Sequence, residues 1–296
     1  MKQLFGTGVA LVTPFRADLS IDEEALRRIV DFCIDGGIDY LVILGTTGEP
    51  VTLDKKEKQQ VINTVVDQNN GRVPLVIGMG GNNTLQLVDE LKAANLEPFE
   101  AVLSVSPYYN KPTQEGIYRH YKALSEAASK PLIAYNVPGR TGSNILPETV
   151  LRLAADCRNL AGIKEASGDM VQVKAILDAK PDDFMVISGD DFTALPTVLA
   201  GGSGVISVLG QGMPSDFSRM IRFGLSGMDK EAYLLHQELL DAMELIFREG
   251  NPAGIKALLA LQGLSTPVVR LPLVEASAML RADLKAYMNA HVRARA

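Results

Sequence analysis

Lys164 comes directly after the apolar run Leu160–Ile163. A strand with that composition is buried, and an ammonium there is costly unless it has a use. Desolvation disfavours the charged form of a lysine and lowers its pKa, which turns it into a nucleophilic amine near neutral pH. The alternative is a lysine whose stem lies along apolar surface while its head reaches water or pairs with Glu165. Three other apolar runs end in groups that suit the same chemistry. Tyr40–Leu44 leads into Gly45-Thr46-Thr47-Gly48-Glu49, whose hydroxyls and backbone N–H groups can cradle a small carboxylate, although such turns are also common structural devices. Ala101–Val105 leads into Ser106-Pro-Tyr-Tyr109-Asn-Lys-Pro112, where two tyrosines serve an interface, a proton transfer or plain aromatic packing. Leu132–Tyr135 closes on a phenol, and Arg140 follows five residues later, able to grip a carboxylate with two parallel hydrogen bonds. Taken together, an amine, a phenol and a carboxylate-binding turn suit Schiff-base carbon–carbon chemistry on a 2-oxo acid.

These groups need a scaffold that brings strand ends together. Gly8–Val12, Pro74–Ile77, Phe184–Ile187 and Gly204–Val208 complete a set of eight short runs that read as continuously apolar rather than alternating. Strands covered on both faces give that signature, and they belong to parallel sheets. Between them lie amphipathic helices with start signals: Ser20-Ile-Asp-Glu23 and Asp54-Lys-Lys-Glu57 as capping boxes, Thr84 and Thr113 as N-caps, and Pro147 in a first turn. About eight such units at roughly 20 to 35 residues each is what a (β/α)8 TIM barrel requires. A doubly wound open sheet is the rival, and its dinucleotide fingerprint is missing: Thr13-Pro-Phe-Arg16 follows the first run, and Gly78-Met-Gly80-Gly81 has the wrong spacing. Residues 1–224 are therefore read as the barrel and 225–296 as a small α-helical domain, with helices over 229–248, 251–264 and 272–292. Asn251 is the expected cap of the second. Leu234, Leu235, Leu239, Met243, Ile246 and Phe247 give the first of these helices more than one apolar face, as an oligomer contact would need.

Composition narrows the function classes. The 296 residues are 47% hydrophobic and 22% charged, a globular composition. A net charge of −6 argues against nucleic-acid or anionic-membrane partners, so an anionic substrate must be caught by locally placed cations. Cys33 and Cys157 lack metal-ligand spacing and read as buried thiols, and His120, His236 and His291 form no ligand pattern. No metal is expected. The apolar stretch near the N-terminus is too short for a signal peptide, and no run is long enough to span a membrane, which points to the cytoplasm.

The four motifs, Gly45-Thr-Thr-Gly-Glu49, Ser106-Pro-Tyr-Tyr-Asn110, Tyr135-Asn-Val-Pro138 and Gly162-Ile-Lys-Glu165, together resemble the pyruvate-dependent class I aldolases related to N-acetylneuraminate lyase. The most similar branch is that of the 4-hydroxy-tetrahydrodipicolinate synthases. The resemblance runs from Phe5 into the helical tail, where Glu249-Gly-Asn-Pro252 also fits. It implies that Lys164 forms an iminium with pyruvate and that Tyr135 is the general acid/base. Thr46 would link Tyr135 to Tyr109, the latter supplied by a neighbouring subunit. Thr47 would bind the pyruvate carboxylate, Arg140 would hold the carboxylate of L-aspartate 4-semialdehyde, and Gly189 and Ile206 would line the site. It also implies a homotetramer, a dimer of dimers, that needs no organic cofactor. Within the superfamily, Thr46-Thr47 and Arg140 favour the synthase branch over a sugar-acid aldolase, and the complete set of reactive groups speaks against a ligand sensor without activity. Where lysine-inhibited members keep a feedback site, this chain has Pro50, Lys55, Lys58, Asn82 and Gln86, and only Asn82 and Tyr108 are retained. Added cations and a lost carboxylate predict weak or absent inhibition by L-lysine.

Overall fold

The computed structural model describes residues 1–293. The eight apolar runs form the strands β1 (Gly6–Ala10), β2 (Tyr40–Ile43), β3 (Leu75–Gly78), β4 (Ala101–Val105), β5 (Leu132–Asn136), β6 (Leu160–Glu165), β7 (Met185–Ser188) and β8 (Gly204–Ser207). All pairings are parallel and follow chain order, and β8 returns to β1 to close the barrel. Around it run α1 (Glu23–Asp35), α2 (Lys55–Asn69), α3 (Thr84–Ala93), α4 (Gln114–Ala127), α5 (Pro138–Thr141), α6 (Pro147–Asp156), α7 (Met170–Ala179), α8 (Ala194–Leu199) and α9 (Pro214–Leu225). The chain continues with α10 (Asp229–Phe247), α11 (Ala253–Leu261) and α12 (Ala278–Arg293). The expected (β/α)8 barrel with C-terminal helices is the observed architecture.

Strand alternation sorts the core into two shells. Tyr40, Val42, Leu103, Ile133, Ile187 and Ile206 pack inside the barrel, while Leu41, Ile43, Val102, Ile163 and Val205 point outward against the helices. Each such side chain contributes about 1.5–3 kcal/mol when fully buried. Tyr40 fills the floor of the barrel because Gly8 leaves room for it: a Cβ at Gly8 would lie 2.2 Å from the Tyr40 ring, whose hydroxyl instead donates to Val205 O at 3.2 Å. β1 ends two residues earlier than its apolar run. Beyond it the Gln211 side chain takes over the ladder, accepting from Val12 N at 2.9 Å and donating to Ala10 O at 2.8 Å.

Helix starts follow side-chain geometry more closely than the sequence motifs suggested. Asp54 and Glu57 form the expected reciprocal box, and Thr113 caps α4. Ser20 does not cap α1. Its N–H and hydroxyl are both spent on Asp18, and Asp22 accepts from Ala25 N instead. Likewise Asn83, not Thr84, caps α3, while the Thr84 hydroxyl faces His120 Nδ1 at 2.9 Å. The last helix begins at Ala278 rather than near Pro272, because Ser277 accepts from Leu280 N while its own N–H and hydroxyl donate to Glu249. α10 buries Leu235, Leu239, Met243 and Ile246 and leaves Tyr233 and Leu234 exposed. No helix among the described residues is long and apolar enough to cross a membrane.

Candidate active site

The C-terminal ends of β5 and β6 set the centre of the site. Parallel pairing places Tyr135 opposite Lys164 and Asn136 opposite Glu165. By alternation Tyr135 and Lys164 face the barrel interior, while Asn136 and Glu165 face the helices. Lys164 is only 5% exposed, and its Nζ lies 4.2 Å from the centroid of the Tyr135 ring. Pairing with Glu165 is ruled out as the reason for this lysine. The Glu165 carboxylate is held on the other side of the strand by Asn136 Nδ2 at 2.9 Å, Ser167 N at 2.7 Å and Gln172 Nε2 at 2.8 Å. The buried Tyr121 hydroxyl stitches the neighbouring strand ends by donating to Ser104 O at 2.9 Å and accepting from Tyr135 N.

Gly189 and Ile206 come to the same place. Ile206 packs in the interior cluster with Tyr135. Gly189 lies against the lysine stem, where an added Cβ would meet Lys164 Cε at 2.8 Å. Two residues on, Asp191 turns away from the centre and accepts from Val208 N and Leu209 N, tying the loop after β7 to the one after β8. Burial raises its carboxyl to about 6, opposed by hydrogen bonds from Ser207 and the Leu209 and Val208 N–H groups.

Thr46, Thr47 and Gly48 form a single tight turn after β2. Thr46 and Arg140 line a cavity of about 770 Å³ that opens from the mouth of the barrel between α2 and α3. Pro50, Lys58, Asn82, Gln86 and Tyr108 line the same cavity, together with Asp67 and Glu90, whereas Lys55 does not. Thr47 is buried beside the turn, and its hydroxyl accepts from Asn251 Nδ2 at 2.9 Å. Arg140 is carried by α5 and donates to Asn251 O at 3.3 Å. Tyr109 stands apart from the others, in left-handed backbone (φ 73°) and 88% exposed. Within one chain, then, Lys164, Tyr135, Gly189 and Ile206 meet inside the barrel, the threonines and Arg140 ring its mouth, and Tyr109 projects away.

Sequence reasoning gave Asn251 only the role of helix cap, and the structure corrects this: α11 starts without a side-chain cap, and the Asn251 amide serves Thr47. It also passed over Lys256, which is fully buried on α11 and paired with Glu49 at 2.5 Å. The available signal was one lysine within the otherwise apolar Ala253–Leu261. Burial pulls the Lys256 ammonium down to about 8, opposed by the Glu49 carboxylate.

A sequence profile of the dihydrodipicolinate synthetase family matches residues 3–291. The chain is 60% identical over 274 residues to the 4-hydroxy-tetrahydrodipicolinate synthase of Flavobacterium psychrophilum, covering 93% of this chain and 94% of that one. Among solved structures, the dihydrodipicolinate synthase of Thermotoga maritima superposes with a TM-score of 0.94 at 38% identity, covering 97% of this chain and 98% of that one. The chloride-inhibited dihydrodipicolinate synthase of Acinetobacter baumannii complexed with pyruvate gives a TM-score of 0.93 at 39% identity, covering 97% and 98%. On these matches in sequence and in fold, the chain belongs to the dihydrodipicolinate synthetase family.

Proposed function

We propose that this chain condenses pyruvate with L-aspartate 4-semialdehyde to give 4-hydroxy-tetrahydrodipicolinate, a step toward diaminopimelate and L-lysine. The observation that carries the reading is a lysine, 5% exposed at a strand end inside a parallel barrel, lying against a tyrosine ring and beside a glycine that leaves room for its stem. The Lys164 amine adds to C2 of pyruvate and loses water, forming a cationic iminium. That cation is the electron sink, so a methyl proton leaves and an enamine results. The enamine carbon attacks the aldehyde of the second substrate. The amino group of that substrate then displaces Lys164, which closes the ring and frees the enzyme. Because the lysine supplies the sink, the reaction calls for no metal or organic cofactor.

The remaining roles are those the resemblance implies, and the placement of the residues is compatible with them. Tyr135 moves protons at the reacting carbons and oxygens, with Thr46 passing them toward Tyr109 of a second subunit. Thr47 donates to the pyruvate carboxylate, and Gly189 and Ile206 offer backbone groups around it. Arg140 holds the carboxylate of the aldehyde substrate with its planar fork. The exposure of Tyr109 supports its delivery across an interface, in keeping with a homotetramer built as a dimer of dimers. The enzyme works in the cytoplasm.

Reductive trapping tests the reading. With pyruvate and borohydride, the intact protein should gain one reduced pyruvate adduct on Lys164, and Lys164→Ala should gain none. An adduct on another residue, or no adduct, would overturn the assignment. Product formation with L-aspartate 4-semialdehyde, but not with sugar aldehydes, fixes the second substrate. L-Lysine should inhibit weakly or not at all, since at the positions where the resemblance implies a feedback site this chain lines the cavity with Lys58, whose ammonium repels those of lysine, and with the uncharged Gln86. Half-inhibition below a millimolar of lysine in a steady-state assay would contradict this.

A further inference from the structure

The turn that carries Thr46 and Thr47 is anchored from outside the barrel. Glu49, its last residue, is 2% exposed and sits in left-handed backbone at φ 53°. One carboxylate oxygen takes Lys256 Nζ at 2.5 Å and the other takes Arg270 N at 3.0 Å. Lys256 has no exposed surface, and its other contacts are Val268 O at 2.9 Å and the face of Phe15, 4.2 Å from the ring centroid. On the other side of the turn, Gly48 O accepts from Thr13 at 2.7 Å. The segment after the barrel thus reaches the turn three times, at Glu49 through Lys256 and the Arg270 N–H and at Thr47 through Asn251.

Stability alone does not account for this arrangement. Removing two charges from water costs about as much as their attraction returns, and an apolar pair of similar volume is often as stable or more so. Such a pair would suit α11, where Ile255, Leu258 and Leu259 are already buried. A left-handed glutamate adds a further cost, on the order of 1–3 kcal/mol. Two costs incurred at the end of the turn that carries Thr46 and Thr47 are explained if they fix a position. A carboxylate with two directed partners does so, because it can satisfy both in only one placement of the turn.

We propose that Lys256, acting through Glu49, is a positioning residue for the turn that binds the pyruvate carboxylate, so that the C-terminal helices form part of the first-substrate site. This rests on the functional reading above. The test measures borohydride trapping on Lys164 by intact mass over a pyruvate series, beside urea unfolding, in the full-length protein. The variants are Lys256→Met, Glu49→Gln and the two combined. Each single variant leaves one buried charge without its counter-charge and should be less stable; the double variant carries neither charge, so its unfolding midpoint should recover most of that loss. Half-saturating pyruvate should nevertheless stay raised by roughly tenfold in the double variant, the loss of about one well-directed interaction, while trapping at saturating pyruvate still reaches completion. A stable double variant with half-saturation within twofold of the wild type would reduce the pair to a structural role and overturn the proposal. No adduct on wild-type Lys164 would overturn the functional reading itself, a result distinct from a trapped wild type with unshifted variants.

Discussion

A methyl group on Gly189 would lie 2.7 Å from Ala166 Cβ and 2.8 Å from Lys164 Cε, closer than carbon atoms approach. The lysine stem is the softer neighbour, so it gives way, and the amine moves relative to Tyr135. Displacing a reacting group by about 1 Å costs on the order of a hundredfold in rate. Gly189→Ala should therefore lower kcat by about tenfold to a hundredfold, and its urea midpoint should fall as well, because Ala166 Cβ yields only if the backbone moves. A variant with unchanged turnover would show that the stem is not confined as the structure depicts it. The same scale explains why Glu165, adjacent in sequence to Lys164, does not pair with it. Successive side chains on a strand point to opposite faces, and the carboxylate is satisfied by Asn136, Ser167 and Gln172.

At the scale of elements, the helices around the barrel hold titratable groups that the chemistry does not use. His120 on α4 is buried, and burial lowers its imidazole to about 4. The unfolded chain binds a proton near pH 6.5 that the folded chain refuses until about pH 4, so the unfolded form is favoured as pH falls through that window. His120→Asn should flatten the loss of stability between pH 6.5 and pH 4, by at most about 3 kcal/mol. Urea midpoints at several pH values check this, and parallel acid limbs for the two proteins would refute it. The Glu57–Arg270 pair works in the same direction. Hydrogen bonding to Arg270 lowers the Glu57 carboxyl to about 2, so its contribution is present above about pH 4.5 and fades as pH falls toward 2. That pair fastens the start of α2 to the segment after α11, beside the Glu49–Lys256 contact.

At the scale of the whole molecule, the exposed Tyr109 is the feature that one chain leaves unexplained. Val51 lines the large cavity, and Leu85 and Tyr109 are chain neighbours of the lining residues Gln86 and Tyr108; all three are well exposed. If a second copy receives Tyr109, Tyr109→Phe and Lys164→Ala chains produced together should complement each other. Each defective chain would supply what its partner lacks at one of the two sites. Random pairing makes half the dimers hybrids with one intact site each, so activity should return to about a quarter of the wild-type level. Activity no higher than the summed parents would place the whole relay within one subunit.

What the sequence by itself determined was the barrel and which side chains stand at its strand ends, because both are written in local pattern. Continuous apolar runs separated by amphipathic helices dictate buried parallel strands, and a lysine or tyrosine at the end of such a run is delivered to the barrel mouth by period-two alternation. Capping was read correctly at Asp54 and Thr113 and misread at Ser20 and Thr84, where a neighbouring Asp22 or Asn83 takes the cap and the hydroxyl goes to Asp18 or His120 instead. Only the tertiary structure decided the partners of Asn251 and Lys256, which reach back across 204 and 207 residues to Thr47 and Glu49. Contacts of that span depend on where helices dock on a closed barrel, and no spacing along the chain encodes them. The reactive groups are thus set by their neighbours in sequence, while the placement of the turn that meets them is set by residues brought near in space.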